Sequence, residues 1–248
     1  MNPTTRMFFL IGLLCAATSA AAAALPDAAT LLKSSDQARG GGLPGLVWEV
    51  DIINRRSGEE HSTMRMHIKA AEDASLAETL EPIRSKGNKM LQVGRNMWLT
   101  KPGLRKPLPI SPRQRLTGQA AIGDIAATNY VRDYAATVLR EDTHDGEPCY
   151  VLELKAVSKQ ATYDQLYYWV SKAGEVAVYA EFLALSGKRL KTADFEYNNT
   201  IQLNGRQVPF VSKMTINDGL TDASTTLDYG QVTVQHIPAA EFSVSNLE

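Results

Sequence analysis

The chain has 248 residues, 44% of them hydrophobic and 21% charged, which is enough to build one sizeable core. Its 26 basic and 27 acidic residues leave a formal charge of −1, so the overall basic field of a general nucleic-acid binder is excluded. Positive charge is instead local: from Arg84 to Arg115 there are nine Lys or Arg residues and no Asp or Glu. Such a field concentrates anionic partners such as lipid headgroups, phosphates or acidic proteins, although solvated hairpin faces can also be basic without any partner.

The first 24 residues read as a secretory signal peptide. Arg6 supplies the positive start, Met7 to Leu14 the apolar run, and Ser19 to Ala24 the small residues of a cleavage site before Leu25-Pro26. Cys15 follows the large Leu14, a poor context for lipidation, so ordinary cleavage after Ala24 is expected. The remaining residues, 25–248, carry no linker or repeat and read as a single domain. Cleavage leaves Cys149 as the lone cysteine, and within Pro148-Cys149-Tyr150-Val151-Leu152 it is expected to be a buried hydrophobe in a strand.

Asp27 to Arg39 has helical composition and stops at Gly40-Gly41-Gly42. The period then changes to two. Trp48, Val50 and Ile52 alternate with Glu49 and Asp51, and Met64, Met66 and Ile68 with Arg65, His67 and Lys69. Further strands are expected at Ala77–Glu81, Lys89–Val93, Asn96–Thr100 and Arg105–Ile110. A second helix is expected over Ile122 to Tyr134, from the spacing of Ile122, Ile125, Ala126, Tyr130 and Tyr134. Strands resume at Thr137–Asp142, Cys149–Val157, Gln165–Ser171, Val176–Leu183, Arg189–Tyr197, Val208–Ile216 and Thr225–His236. Turn residues such as Asp145-Gly146, Ser186-Gly187 and Asn204-Gly205 separate them, the pattern of an antiparallel meander.

Motifs that would carry catalysis are weak. Gly40, Gly42 and Gly45 spell a dinucleotide fingerprint, but Pro44 interrupts it and a strand rather than a helix follows. His61 and His67 have no Cys or acidic ligand set beside them, and His144-Asp145-Gly146-Glu147 belongs to a turn. The composition therefore points to a binding module rather than an enzyme, with no metal and no cofactor. Four methionines in the first half (Met64, Met66, Met90, Met97) suit a cavity that adapts to flexible apolar ligands, or equally a plain core.

One stretch is more specific. Lys86-Gly87-Asn88-Lys89-Met90-Leu91-Gln92-Val93-Gly94-Arg95-Asn96-Met97-Trp98-Leu99, followed by Pro102-Gly103-Leu104-Arg105-Lys106 and Ile110-Ser111, resembles the central motif of LolA-like outer-membrane lipoprotein-sorting proteins. Tyr150-Val151-Leu152-Glu153-Leu154, Tyr168-Trp169-Val170, Ile237-Pro238 and Phe242-Ser243 fall where that family has similar pieces. The resemblance implies a mainly β fold, an incomplete antiparallel β-barrel covered by a few α-helices, LolA/LolB-like, holding lipid chains in an apolar cavity. It also implies a periplasmic carrier of lipids or acylated lipoproteins between inner and outer membranes, a monomer meeting an inner-membrane transporter and, transiently, the membrane. The alternative is an accessory or sensor protein that binds lipid without transporting it. Trp48, Met64, Met66, Met90, Trp98, Trp169 and Phe182 are expected to line the cavity. Lys101, Arg105, Lys106, Arg113 and Arg115 are expected to dock an anionic headgroup or partner. The family's cavity arginine has no secure counterpart in the sequence.

Overall fold

The computed structural model describes residues 25–125 and 129–247. The expected signal segment, and Ala126 of the expected second helix, lie outside the described residues. Helix α1 (Ala28–Gln37) opens with Asp27, whose carboxylate accepts from the Thr30 amide at 2.9 Å and the Thr30 hydroxyl at 2.7 Å. Those bonds to Thr30 hold the Asp27 carboxyl below its usual range. Leu31, Leu32, Ser35 and Asp36 form its buried face.

Six strands then run as a meander: β1 (Leu46–Arg55), β2 (Ser62–Ala71), β3 (Ala74–Glu81), β4 (Lys89–Val93), β5 (Asn96–Thr100) and β6 (Leu108–Ile110). A small hairpin follows, β7 (Arg115–Thr117) with β8 (Ala120–Ala121), then two single-turn helices, α2 (Ile122–Ile125) and α3 (Tyr130–Asp133). The second meander is β9 (Tyr134–His144), β10 (Glu147–Ala156), β11 (Gln165–Ser171), β12 (Ala177–Leu183) and β13 (Arg189–Glu196). The hairpin β14 (Asn199–Leu203) and β15 (Arg206–Phe210) leaves the sheet before β16 (Lys213–Asp218) and β17 (Ser224–Tyr229) rejoin it; β18 (Thr233–Val234) pairs with the start of β1.

The order across the main sheet is β6-β5-β4-β3-β2-β1-β17-β16-β13-β12-β11-β10-β9, with antiparallel pairing throughout. β17 joins the two meanders by pairing Val50 with Tyr229 and Ile52 with Leu227. β6 and β9 do not pair, so the curved sheet stays open rather than closing as a barrel. The chain linking those two edges is the segment 111–133, and α1 packs against α3 and β9 at the same opening.

Period-two alternation decides which face each side chain joins. Leu46, Trp48, Val50 and Ile52 of β1 enter the main core, as do Leu152 and Leu154 of β10 with their partners Tyr168 and Leu166. The opposite face carries two satellite clusters. Leu91 and Trp98, paired across β4 and β5, pack under Ile237, Phe242 and Leu247 of the C-terminal segment. Cys149 and Val151 pack with Trp169. Cys149 is fully buried, and burial pushes its thiol up, in keeping with a structural hydrophobe.

Four expected elements differ in the structure. The helix expected over Ile122 to Tyr134 is two short turns, because Asn129 caps a fresh start by accepting from the Arg132 amide, and Tyr134 already belongs to β9. The strand expected over Val208–Ile216 divides at Val211-Ser212: the Val211 amide turns to the Ala38 carbonyl, so β15 stays with β14 while β16 pairs with β13. The strand expected over Thr225–His236 ends at Tyr229, where the Gly230 amide bonds the Glu49 carbonyl. Arg105–Ile110 contributes only Leu108–Ile110 as strand, since Pro107 and Pro109 leave few amides to donate.

Candidate functional site

On the inward face of the first meander, a cavity of about 560 Å³ lies between the sheet and the segment 111–122. Met64 of β2, Met90 of β4, Leu99 of β5 and Ile110 of β6 supply its sheet side, and Leu116 of β7 and Ile122 of α2 close it from above. Met90 pairs directly with Leu99 on one side and with Ala77 on the other. The size matches that of ordinary small-molecule sites, and six apolar residues line it together with the polar Thr79, Ser85, Asn88, Gln114 and Arg115.

The β7–β8 hairpin above this cavity is seated by polar bonds. Asn54 Nδ2 donates to Thr117 Oγ1 at 2.8 Å, and the Gln119 amide donates to Thr225 Oγ1 at 2.7 Å. Gly118 sits between them at φ +50°, where an added Cβ would fall 1.9 Å from Asn54 Oδ1 and 2.3 Å from Thr225 Oγ1. Only glycine fits that turn without lifting the hairpin. Lys191 of β13 holds the far end: its ammonium donates to the Gln119 carbonyl at 2.7 Å and to Asp124 at 3.0 Å. Tyr163 donates to the same carboxylate, with its hydroxyl 2.8 and 2.7 Å from the two oxygens.

A second polar cluster lies beneath the end of α1. Arg39 is buried, with its guanidinium 4.6 Å from the Phe195 ring centre and 5.6 Å from that of Tyr130, and its Nη1 donates to the Tyr168 hydroxyl at 3.2 Å. Asp36 accepts from the Val131 amide at 2.9 Å through Oδ2, while Oδ1 has no partner among the described residues. Burial pushes the Asp36 carboxyl up to about 7, against the opposing pull of that amide and of Arg39. The Tyr229 phenol, also buried, is raised to about 12. Arg39 Nε, Trp48 Nε1 and the Tyr197 hydroxyl are further buried atoms lacking a protein partner among the described residues.

The structure divides the residues expected to share one cavity. Met64 and Met90 line it. Trp48 and Met66 lie deeper in the same core, Trp48 edge-on to Phe210 at 6.0 Å. Phe182 is in that core too, 4.3 Å from the Tyr163 ring and behind the hairpin. Trp98 and Trp169 face the other way, into the two satellite clusters, because their strand positions have the opposite parity. Among the basic residues, Lys101, Arg105 and Lys106 are exposed on the turn before β6. Arg113 and Arg115 stand apart from them at the hairpin, with Arg113 2.8 Å from Asp164.

Sequence reasoning did not single out Arg39, Asp36, Asp124 or Lys191. For the first two a signal existed: Leu32, Ser35, Asp36 and Arg39 follow i, i+3, i+4, i+7, a core-facing stripe with charges embedded in it. For Asp124 and Lys191, 67 residues apart, no local pattern pointed to the pair.

Residues 71–248 match the model of a family described as "Uncharacterized protein". No curated protein matches the chain. Among solved structures, a LolA superfamily protein from Nitrosomonas europaea superposes with a TM-score of 0.78 at 29% identity, covering 88% of this chain and 98% of that one. An outer membrane lipoprotein-sorting protein domain from Vibrio parahaemolyticus gives 0.75 at 21% identity, covering 89% and 97%. A DUF1329 family protein from Desulfovibrio piger gives 0.74 at 20%, again covering 89% and 97%. With its open antiparallel sheet, the chain belongs to the family of that model and has the LolA-like fold.

Proposed function

We propose that this protein is a periplasmic carrier that takes the acyl chains of a lipid or lipoprotein into the cavity beneath the β7–β8 hairpin and moves them between the inner and outer membranes. The observation that carries this reading is the 560 Å³ apolar-lined space on the inward face of an open LolA-like sheet. Each CH₂ buried there contributes ~0.8 kcal/mol, so sheltering an acyl chain offsets its exposure to water during transit. Met64 and Met90 suit chains of varied shape because thioether side chains repack at low cost. The exposed Lys101, Arg105 and Lys106 form the face that meets an anionic membrane or an inner-membrane transporter. The likeness to a LolA superfamily protein from Nitrosomonas europaea supports this assignment.

The experiment is mass spectrometry of lipid co-purifying with protein made in its own envelope, followed by a transfer assay between donor and acceptor vesicles. Bound acyl lipid together with accelerated transfer is the expected result. Bound lipid without transfer would make the protein a sensor, and no acyl ligand under either condition would overturn the cavity assignment.

A further inference from the structure

Arg115 lines three spaces at once, one of them a polar pocket shared with Asn54, Arg56, Glu59 and Glu60. On one side it borders the apolar cavity with Gln114 and Leu116; on the other it borders a groove of about 340 Å³ between the β7–β8 hairpin and the turn joining β12 to β13. That groove is lined by five cationic side chains, Arg113, Arg115, Lys188, Arg189 and Lys191, and by one carboxylate, Asp218. Its two basic walls come from segments some seventy residues apart, so neither the Arg84 to Arg115 run nor any other stretch of sequence contains the groove.

Much of this charge is already committed. Arg113 pairs with Asp164 at 2.8 Å, Arg189 with Glu181 at 2.8 Å and Lys191 with Asp124 at 3.0 Å. Asp218 turns Oδ1 to its own loop, accepting from the Leu220 and Thr221 amides at 2.9 and 2.8 Å. Among the described residues, Arg115 and Lys188 have no carboxylate within 4 Å. Two cations thus face the groove with no carboxylate in contact, Arg115 acting on Asp218 only at longer range, beside three whose carboxylates sit outside it. Leu220, 77% exposed, and Leu190, 44% exposed, stand at its rim. Apolar rim, cationic wall and apolar cavity therefore succeed one another, with Arg115 at the junction.

We propose that the cargo is an amphiphile with a net-anionic phosphate headgroup, held in this groove by Arg115 and Lys188 while its acyl chain occupies the cavity on the other side of Arg115. The inference rests on the carrier reading and adds the chemical class of the cargo. Guanidinium presents a planar fork matched to phosphate oxygens, and the ammonium adds a second, mobile donor. An acylated peptide anchor carries no phosphate where its chains meet its polar part, so it would leave both cations unsatisfied. A free soluble phosphate would satisfy the groove but not use the adjoining cavity.

The test uses the full chain and short-chain lipids kept below their micelle concentration. Dihexanoyl-phosphatidylglycerol and dihexanoyl-phosphatidylcholine, identical in their tails, are titrated at low and high salt, with a triacylated lipopeptide and inorganic phosphate as further ligands. Phosphatidylglycerol is expected to bind about tenfold more tightly than phosphatidylcholine at low salt, the scale of one charge-assisted hydrogen bond. Arg115→Gln with Lys188→Gln should erase that preference, weakening phosphatidylglycerol binding about tenfold more than phosphatidylcholine binding. A charge-matched control, Lys33→Gln with Arg206→Gln, should keep it.

Equal affinity for the two lipids overturns the headgroup assignment while the carrier reading stands; binding of neither lipid overturns both. A lipopeptide that binds as tightly as phosphatidylglycerol, or inorganic phosphate that competes at equal concentration, also overturns it. Should the double variant unfold, the salt dependence of the wild-type preference decides: a preference that persists at high salt is not electrostatic, and the groove is then not its source.

Discussion

Replacing Lys191 with methionine keeps the length of the side chain but removes the countercharge of a carboxylate with only 1% of its side chain exposed. In the native protein Asp124 receives Lys191 at 3.0 Å, the Ala121 amide at 2.9 Å and the Tyr163 hydroxyl. The neutral donors survive the substitution and the cation does not. Breaking a buried ion pair from one side costs about 3–5 kcal/mol, and the two remaining donors place this case near the lower bound, about 3 kcal/mol. For a domain of this size that corresponds to a fall in Tm of roughly 6–12 °C. Asp124→Asn should cost less, about 1–2 kcal/mol, because Lys191 keeps the Gln119 carbonyl and sits 4.9 Å over the Tyr163 ring, beside an open groove toward which it can move. The double variant should cost less than the sum of the two, giving a coupling energy of about 2 kcal/mol in a urea-denaturation cycle read by tryptophan fluorescence. A Lys191→Met cost below about 1 kcal/mol, or additive single effects, would refute the reasoning that the pair is locked and dry.

Asp36 makes stability depend on pH with a definite sign. Its unfolded carboxyl loses a proton near 3.8 and its folded carboxyl near 7, so stability should decline as pH rises through that window, by about 4 kcal/mol in total for this group. Asp36→Asn should flatten the pH 4–7 slope of chemical denaturation, and an unchanged slope counts against a buried, proton-holding Asp36. Leu116→Trp should fill the cavity, costing about 1–3 kcal/mol of stability while abolishing binding of a fluorescent fatty acid; a variant that folds and still binds the probe would place the acyl site elsewhere. Reversing Lys101, Arg105 and Lys106 to glutamate should shift stability by no more than about 0.5 kcal/mol each and slow association with anionic vesicles, an effect that shrinks with salt; unaltered rates at low salt would leave that turn a plain solvated surface.

Local pattern made the strands readable. The alternation at Trp48, Val50 and Ile52 places three inward side chains correctly, and Asn204-Gly205 marks the tip of the β14–β15 hairpin. Parity along a strand says which residues share a face but not which face is the inner one, and so Trp98 and Trp169 were grouped with residues on the other side. The outer face at Trp98 is apolar because the C-terminal segment covers it, a contact between residues about 140 positions apart. Strand ends were hardest to place where an amide leaves its ladder for a distant carbonyl, as at Val211 and Gly230. The groove beside Arg115 and the Asp124–Lys191 pair depend on bringing the hairpin next to β13, which only the folded sheet does.

The route from β6 to β9 gives the sheet an unusual mechanical constraint. The residues that roof the cavity also lie on the path between the two free edges of the sheet: within it the Ile122 amide donates to the Gln114 carbonyl at 2.9 Å, and Arg95 of the β4–β5 turn pairs with Asp133 at 3.2 Å just before β9. On the proposed carrier reading, a guest that enters beneath this roof displaces residues lying between the two edges, so a crosslink that fixes the distance between β6 and β9 should slow ligand exchange without touching any residue that contacts the ligand.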